Sequence, residues 1–382
     1  MVLPVNRFRS RIATKLYICL RCGAKTAALL FWVSLYMVVM KMTVFKSTEE
    51  TPVKDWSIIP DNYSVWQGAV PLTKDDLETS KHDFVTWPEV DNNTIIELKN
   101  RSETVYKVCR QRNLLSQKVN AKEFYVDHNH SFVWCNIFKA ASSTWMYYMN
   151  ILGGYKKKFL ERTKKIPLIL ARKKFPRPQI KELTEAMHEP GVLSLLIVRE
   201  PFVRLLSAYR DKLEINQLGR IKPYYRKLAR TIISKYRKKE AQEKGKSKIV
   251  GPTFREFVQY LIDEYHPGYT FDEHWAPYYT FCSPCAVNFT VIAKVETLTK
   301  DSMYVIQKLN LGPVLNIKAG ERKRRHRGLM NTSRDGKNTT SLLMHYYSQL
   351  DENMLDNLLE IYGIDFEMFG YDASIYRRYV QK

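Results

Sequence analysis

Three groups of residues have types and spacings that could do chemistry. In the first, Lys139 is followed by the small residues Ala140, Ala141, Ser142, Ser143 and Thr144, after which a helix-like run continues to about Leu152. Phe132 to Phe138, just before, is rich in aromatic and β-branched residues and too short for a typical helix, so it reads as a buried strand. A strand, a tight turn and a helix start bring backbone N–H groups and the positive end of a helix dipole to one point, which suits a phosphate or sulfonate. Lys139 would add a mobile cation and the three hydroxyls further donors. The plainer reading is a βα junction capped by serine or threonine.

The second group runs from Arg199 to Ser207. Gly191 to Val198 is nearly all apolar and predicts a central parallel strand ending at Arg199. Pro201 suits a first helical residue, and Phe202 to Glu214 carries Leu205, Leu206, Tyr209 and Leu213 on one apolar face. Ser207 then lies about two turns into the helix, within reach of the anion that Arg199 would meet. Two such units fit an α/β sheet that binds its ligand outside the carboxyl ends of its strands. Taken alone, Arg199 could equally pair with an acidic neighbour and Ser207 lie on a helix surface.

The third is Glu273-His274-Trp275, whose imidazole titrates near neutral pH and could take a proton. A structural histidine beside a core tryptophan is the competing reading, and Glu200, His128 and His130 are weaker candidates for a base.

The segments that must carry these groups are organised around a membrane. Residues 1–25 are basic without an acidic residue and predict a cytoplasmic tail; 26–45 is an apolar run of transmembrane length. The long basic lead and the lack of an Ala-x-Ala-like site favour an uncleaved signal anchor over a cleaved signal peptide. Residues 46–103 are polar and proline-containing and predict a lumenal stem; 104–382 would be the catalytic domain. All seven Asn-x-Ser/Thr triplets, at Asn62, Asn92, Asn100, Asn129, Asn288, Asn331 and Asn338, follow the span, as expected of a type II lumenal protein bearing N-glycans. Cys282 and Cys285 could be a zinc half-site, a redox pair or disulfide partners. In an oxidising lumen disulfides among Cys109, Cys135, Cys282 and Cys285 are favoured, with connectivity not deducible.

The formal net charge of +22 argues for a polyanionic partner. Residues 220–248 hold twelve Lys or Arg against Glu240 and Glu243, with Tyr224, Tyr225 and Tyr236 interleaved, and a second cluster spans Arg322 to Arg327. Nucleic acid could use such a surface, but a lumenal domain would not ordinarily meet it, so an acidic glycan and no nucleic acid is the expected partnership. Other expected elements are a helix near Val105 and Val108, a hairpin from Tyr125 through Phe138 and a helix over Phe254 to Tyr265. They continue with a strand over Val287 to Val295, a helix over Glu296 to Leu309, helical spacing from Thr340 to Gly363 and a closing segment, Ile364 to Tyr371.

Taken in order, the Lys139 loop, Arg199-Glu-Pro-Phe-Val-Arg-Leu-Leu-Ser207, Glu273-His-Trp275, Cys282-Ser-Pro-Cys285 and Lys294-Val-Glu-Thr-Leu298 resemble the Golgi carbohydrate sulfotransferases. Within them they look closest to the group containing the chondroitin and dermatan 4-O-sulfotransferases, over roughly Thr104 to Tyr371. The resemblance implies an α/β fold, a P-loop-like parallel sheet flanked by helices, and 3'-phosphoadenosine 5'-phosphosulfate as co-substrate without a metal. It implies that Phe138, Lys139, Ala140, Ala141, Ser142, Ser143 and Thr144 hold the 5'-phosphosulfate. Arg199, Glu200, Pro201, Phe202, Val203, Arg204, Leu205, Leu206 and Ser207 would hold the 3'-phosphate. Lys139 and His274 would be catalytic, and the acceptor a GalNAc 4-hydroxyl of chondroitin/dermatan-type glycosaminoglycan at the Golgi membrane. Two positions depart from the family pattern: Phe138 stands where a proline is usual and Ser142 where a cysteine is usual. A glycosyltransferase of this topology would normally need an Asp-x-Asp pair, which is absent, and a non-catalytic heparin-binding protein has no use for the Lys139 loop. Without Gly-x4-Gly-Lys-Ser/Thr spacing, an ATPase or kinase is weaker still.

Overall fold

A computed structural model describes residues 90–214, 222–237, 251–315 and 338–381, all within one unit spanning 82–382. The expected tail, membrane anchor and most of the stem lie outside the described residues, as do Asn62, Asn331 and the Arg322 to Arg327 cluster. Among the described residues no helix is long and apolar enough to cross a membrane.

In chain order the main elements are helix α1 (Asn92–Gln111), strands β1 (Phe124–Asp127) and β2 (Phe132–Cys135), helix α2 (Ser142–Leu152), strand β3 (Leu193–Val198) and helix α3 (Pro201–Lys212). Helices α4 (Pro223–Tyr236) and α5 (Phe254–Glu264), strand β4 (Val291–Lys294) and helices α6 (Leu298–Lys308) and α7 (Glu352–Phe369) follow. The sheet order is β1-β2-β3-β4, with β1 antiparallel to β2 and the other pairs parallel. The sheet is therefore mixed rather than parallel throughout. The reason is local: only four residues, 128–131, join β1 to β2, enough for a hairpin but not for a crossover.

β3 lies between β2 and β4, and all six of its residues are buried. Side chains alternate between the two faces. Phe132 and Trp134, Leu195 and Ile197, and Val291 and Ala293 join one core, with Trp145 and Met149 of α2 and Val305 of α6. Val133 and Cys135, Leu196 and Val198, and Ile292 join the other, with Phe202, Leu205 and Leu206 of α3, Phe257 of α5 and Leu358 of α7. This period of two is what turns apolar strands into the middle layer of a helix–sheet–helix sandwich.

Two expectations about boundaries change. The folded part starts before residue 104, because α1 begins at Asn92 and buries Thr94 and Leu98. Arg101 on the same helix donates to the buried Asp301 carboxylate at 2.7 Å and to the Ile292 carbonyl at 3.1 Å. The exposed Ile95 and Ile96 obscured the helical stripe in the sequence. At the other end, Asp351 caps α7, which runs through Ile364 to Phe369 rather than stopping at Gly363. The side chains of Asn92, Asn100, Asn129, Asn288 and Asn338 are all exposed.

Two disulfides join the four cysteines, Cys109 to Cys285 and Cys135 to Cys282. They pin the 282–285 turn to α1 and to the carboxyl end of β2. The bridges close loops of 176 and 147 residues, so each should stabilise the fold by roughly 2–5 kcal/mol through the unfolded chain. Cys282→Ser should lower the melting temperature measured without reductant; a variant that melts with the parent would contradict this role.

Candidate active site

The carboxyl ends of the parallel strands each deliver a cation: Lys139 after β2, Arg199 after β3 and Lys294 at the end of β4. Lys139 and Ala141 both have left-handed backbones, φ 68° and 58°. Side chains avoid that region, so the loop holds strain of a kind that clusters at functional sites. Among the described residues, the N–H groups of Lys139, Ala141, Ser142 and Ser143 find no backbone acceptor just where α2 begins. Successive free N–H groups in such a turn form an anion-binding concavity, reinforced by the helix dipole. The Ser142 and Ser143 hydroxyls also have no hydrogen-bond partner among the described residues.

Arg199 is half-buried, and its guanidinium makes no hydrogen bond or ion pair among the described residues. Burial pushes it below the usual arginine value. A desolvated cation without a direct ion pair is costly, even with Glu296 and Glu200 near enough to favour its charge, and the Ser207 hydroxyl on α3, unpartnered among the described residues, adds a donor on the same strand–helix unit. The residues present thus fit a phosphate. Tyr278 fixes the Arg199 backbone from both sides, its hydroxyl accepting from Arg199 N–H at 3.0 Å and donating to Arg199 C=O at 2.8 Å. Tyr278 is held in turn by the buried Asp365, which accepts from the N–H groups of Tyr278 and Tyr279 at 2.7 and 3.0 Å.

Arg204 does something different from the role expected of it. It is 1% exposed, and its guanidinium donates to the carbonyls of Phe138 at 2.9 Å, Ala276 at 2.8 Å and Glu273 at 3.4 Å. It ties the Lys139 loop to the His274 loop with three of its five N–H donors, at a site closed off from solvent. Phe202, Val203, Leu205 and Leu206 are likewise core residues, and Pro201 is buried at the first helical position. Glu200 caps α3 by accepting from Val203 N–H, and also accepts from Tyr376 at 3.0 Å; burial pushes its carboxyl up to about 7. Within the motif, only Arg199 and Ser207 offer side chains to a ligand.

The loops meet at His274. Its ring packs on Phe138 with centroids 4.7 Å apart. Asp272 Oδ1 lies 2.8 Å from Nδ1 and also accepts from the His274 backbone N–H at 2.9 Å. Tyr225 of α4 donates to Asp272 Oδ2 at 3.2 Å and lies 3.0 Å from Nδ1. Burial pushes the imidazole below its usual value, opposed by Asp272, while the ammonium groups of Lys212 and Lys139 push it further down. Lys139 is itself lowered by burial and sits 3.3 Å from Asp211, which Lys212 also meets at 2.9 Å. Sequence reasoning missed Asp211, Lys212, Asp272 and Tyr225; only Asp272, two residues before His274, left a local signal. His128 and His130 lie in the β1–β2 turn, at the opposite end of β2 from Lys139, and are removed as bases. Among the described residues no cluster of His, Cys, Asp and Glu could hold a metal ion.

Comparison with known proteins gives the family of the chain. Residues 122–372 match the model of the sulfotransferase family, more than half of the chain, so the chain belongs to that family. It is 31% identical over 304 residues to carbohydrate sulfotransferase 14 of Danio rerio, covering 75% of this chain and 74% of the relative. It is 28% identical to carbohydrate sulfotransferase 11 of Mus musculus, covering 75% and 79%. With carbohydrate sulfotransferase 10 of Xenopus laevis it shares 26% identity, over 89% of this chain and 95% of the relative. No solved structure matches. The chain is a sulfotransferase of the carbohydrate-modifying kind, and this class takes its sulfonate from 3'-phosphoadenosine 5'-phosphosulfate.

The two arginines of one motif should therefore separate by experiment. Arg204→Met should strand three carbonyls, at about 1–3 kcal/mol for each that stays buried, and lower the melting temperature by several degrees. Arg199→Ala should melt with the parent. Equal melting of the two variants would contradict the assignment.

Proposed function

We propose that the chain is a single-pass type II enzyme of the Golgi membrane, its catalytic domain in the lumen. It moves a sulfonate group from 3'-phosphoadenosine 5'-phosphosulfate to the 4-hydroxyl of GalNAc in a chondroitin- or dermatan-type glycan. The observation that carries the reaction is the meeting of an anion-binding turn, an unpartnered Arg199 and a buried His274 at one end of the sheet, with Arg204 bonded to both loops. The resemblance of the Arg199 to Ser207 block to the 4-O-sulfotransferase group supports the acceptor. The apolar run at 26–45 supports the anchor.

In this reading the free N–H groups of the Lys139 loop and the Ser142 and Ser143 hydroxyls hold the 5'-phosphosulfate. Arg199 and Ser207 hold the 3'-phosphate, which separates this donor from ordinary adenylates. Sulfonate transfer needs little covalent help from the protein, so position and charge dominate, as in phosphoryl transfer. His274 takes the proton of the acceptor hydroxyl as its oxygen forms the new bond to sulfur. The bond from sulfur to the phosphate oxygen breaks, and its electron pair stays on the phosphate. Lys139 leaves Asp211 to neutralise that growing charge, and Lys212 keeps Asp211 paired. The described part of the basic cluster supports an anionic acceptor: α4 buries Tyr225, Ala229 and Ile232 and exposes Tyr224, Lys227 and Arg230, with Lys222 exposed just before it.

The test is transfer from labelled donor by the full-length chain to a panel of desulfated glycosaminoglycans, with disaccharide analysis of the product. Label at GalNAc O4 is the expected result. Label at another position would overturn the acceptor, and no transfer with heparin binding intact would overturn the enzyme reading. In the same assay Lys139→Ala should lose about 100-fold or more in kcat. Arg199→Ala should weaken donor binding by about 10- to 100-fold, the scale of a hydrogen bond to a charged group.

A further inference from the structure

Four groups surround the His274 ring, and their arrangement is more specific than burial requires. Phe138 covers one face at 4.7 Å between centroids, and the Tyr225 ring meets it edge-on at 5.8 Å. On the Nδ1 edge lie Asp272 Oδ1 at 2.8 Å and the Tyr225 hydroxyl at 3.0 Å. A carboxylate oxygen only accepts, so Nδ1 must carry the proton. Tyr225 donates to the other Asp272 oxygen, which keeps that carboxylate from turning away. Nε2 makes no hydrogen bond among the described residues and is not among the fully enclosed, unpartnered atoms. Its lone pair is the one left open.

We infer that Asp272 and Tyr225 are positioning residues that fix the tautomer of His274, so that Nε2 is the atom that takes the acceptor's proton. This rests on the proposed role of His274 as base. The carboxylate also stabilises the imidazolium formed as the hydroxyl proton moves to Nε2, as a buried acid does for other catalytic histidines. Tyr225 adds a second link, since the Lys212 ammonium lies 5.4 Å over its ring while Lys212 pairs with Asp211, the partner of Lys139. The proton acceptor and the cation beside the leaving group are thereby held by one chain of contacts. Phe138 supplies the face against which the ring is held.

The charged and titratable groups facing His274 are Asp272 on its own loop, Tyr225 on α4, Lys212 on α3 and Lys139 in the loop after β2. The imidazole lies below its usual value, so the acidic limb of kcat should fall below pH 6.5. Asp272 pulls it upward, and removing its charge should move that limb lower.

The experiment measures kcat and both KM values against pH for the full-length parent, Asp272→Asn, Asp272→Ala, Tyr225→Phe and His274→Ala, with labelled donor and the best acceptor of the panel. In Asp272→Asn the remaining Oδ1 can still accept from Nδ1–H, so orientation survives while charge is lost. Its kcat should fall about tenfold with KM unchanged, and its acidic limb should move to lower pH. Asp272→Ala should lose about 10²- to 10⁴-fold in kcat, and Tyr225→Phe about 2- to 10-fold. An Asp272→Asn profile superimposable on the parent, or an Ala variant no worse than Asn, would overturn the positioning role. Parent-like turnover in His274→Ala would overturn it together with the base assignment, while the parent's own transfer would still stand for the enzyme reading.

Discussion

Arg204 carries a full charge at 1% exposure, and no carboxylate lies within ion-pair distance of it among the described residues. Its three carbonyl acceptors come from Phe138, Glu273 and Ala276, and the Tyr278 ring lies 4.6 Å below the guanidinium. Desolvating a guanidinium costs several kcal/mol unless it is compensated, and these three hydrogen bonds and the ring contact offset that cost only while the carbonyls stay in place. The loop after β2, the start of α3 and the 273–276 loop are thereby held as one object. Each of the other site features depends on that. The left-handed turn at Lys139 is held by a bond at Phe138, one residue before it, and His274 lies between two of the carbonyls that Arg204 binds.

Around this centre the chain leaves some polar groups paired and others free, and the division has chemical content. Arg204, Glu200, Asp365 and Tyr278 are bonded inward and shape the backbone. Arg199, Ser142, Ser143 and Ser207 are positioned by that backbone but have no side-chain partners among the described residues. Lys139 is intermediate, since its ion pair with Asp211 can be exchanged for one with a more highly charged anion. A preorganised set of donors with the cations already desolvated is what electrostatic catalysis of group transfer requires. The two disulfides act on the same region, because Cys135 ends β2 and Cys282 follows the His274 loop.

Much of the scaffold was legible in the sequence because its signals are local. The apolar run of β3, the small residues after Lys139 and Pro201 at a helix start each report on a few neighbouring residues. The edge hairpin was legible for the same reason, although the sheet as a whole proved mixed. What escaped was convergence across the chain. Arg199 and Arg204 look alike in one motif, and only the fold shows that Arg204 reaches residues 66 to 72 positions away. Tyr225 read as part of a basic stretch, while its hydroxyl meets Asp272 and His274, 47 and 49 residues on. The amino end of α1 reads as stem in the sequence because its buried stripe is sparse and its contacts lie near residue 300.

The central claim is that two strand ends hold the two phosphates of one nucleotide, with His274 beside the first. A crystal structure of the chain with 3'-phosphoadenosine 5'-phosphate tests this most directly. The account predicts the 5'-phosphate on the N–H groups of residues 139–143 and the 3'-phosphate on Arg199 and Ser207, with Arg204 still bonded to its carbonyls. A nucleotide bound with its 3'-phosphate away from Arg199, or with Arg204 swung out to meet it, would contradict the account.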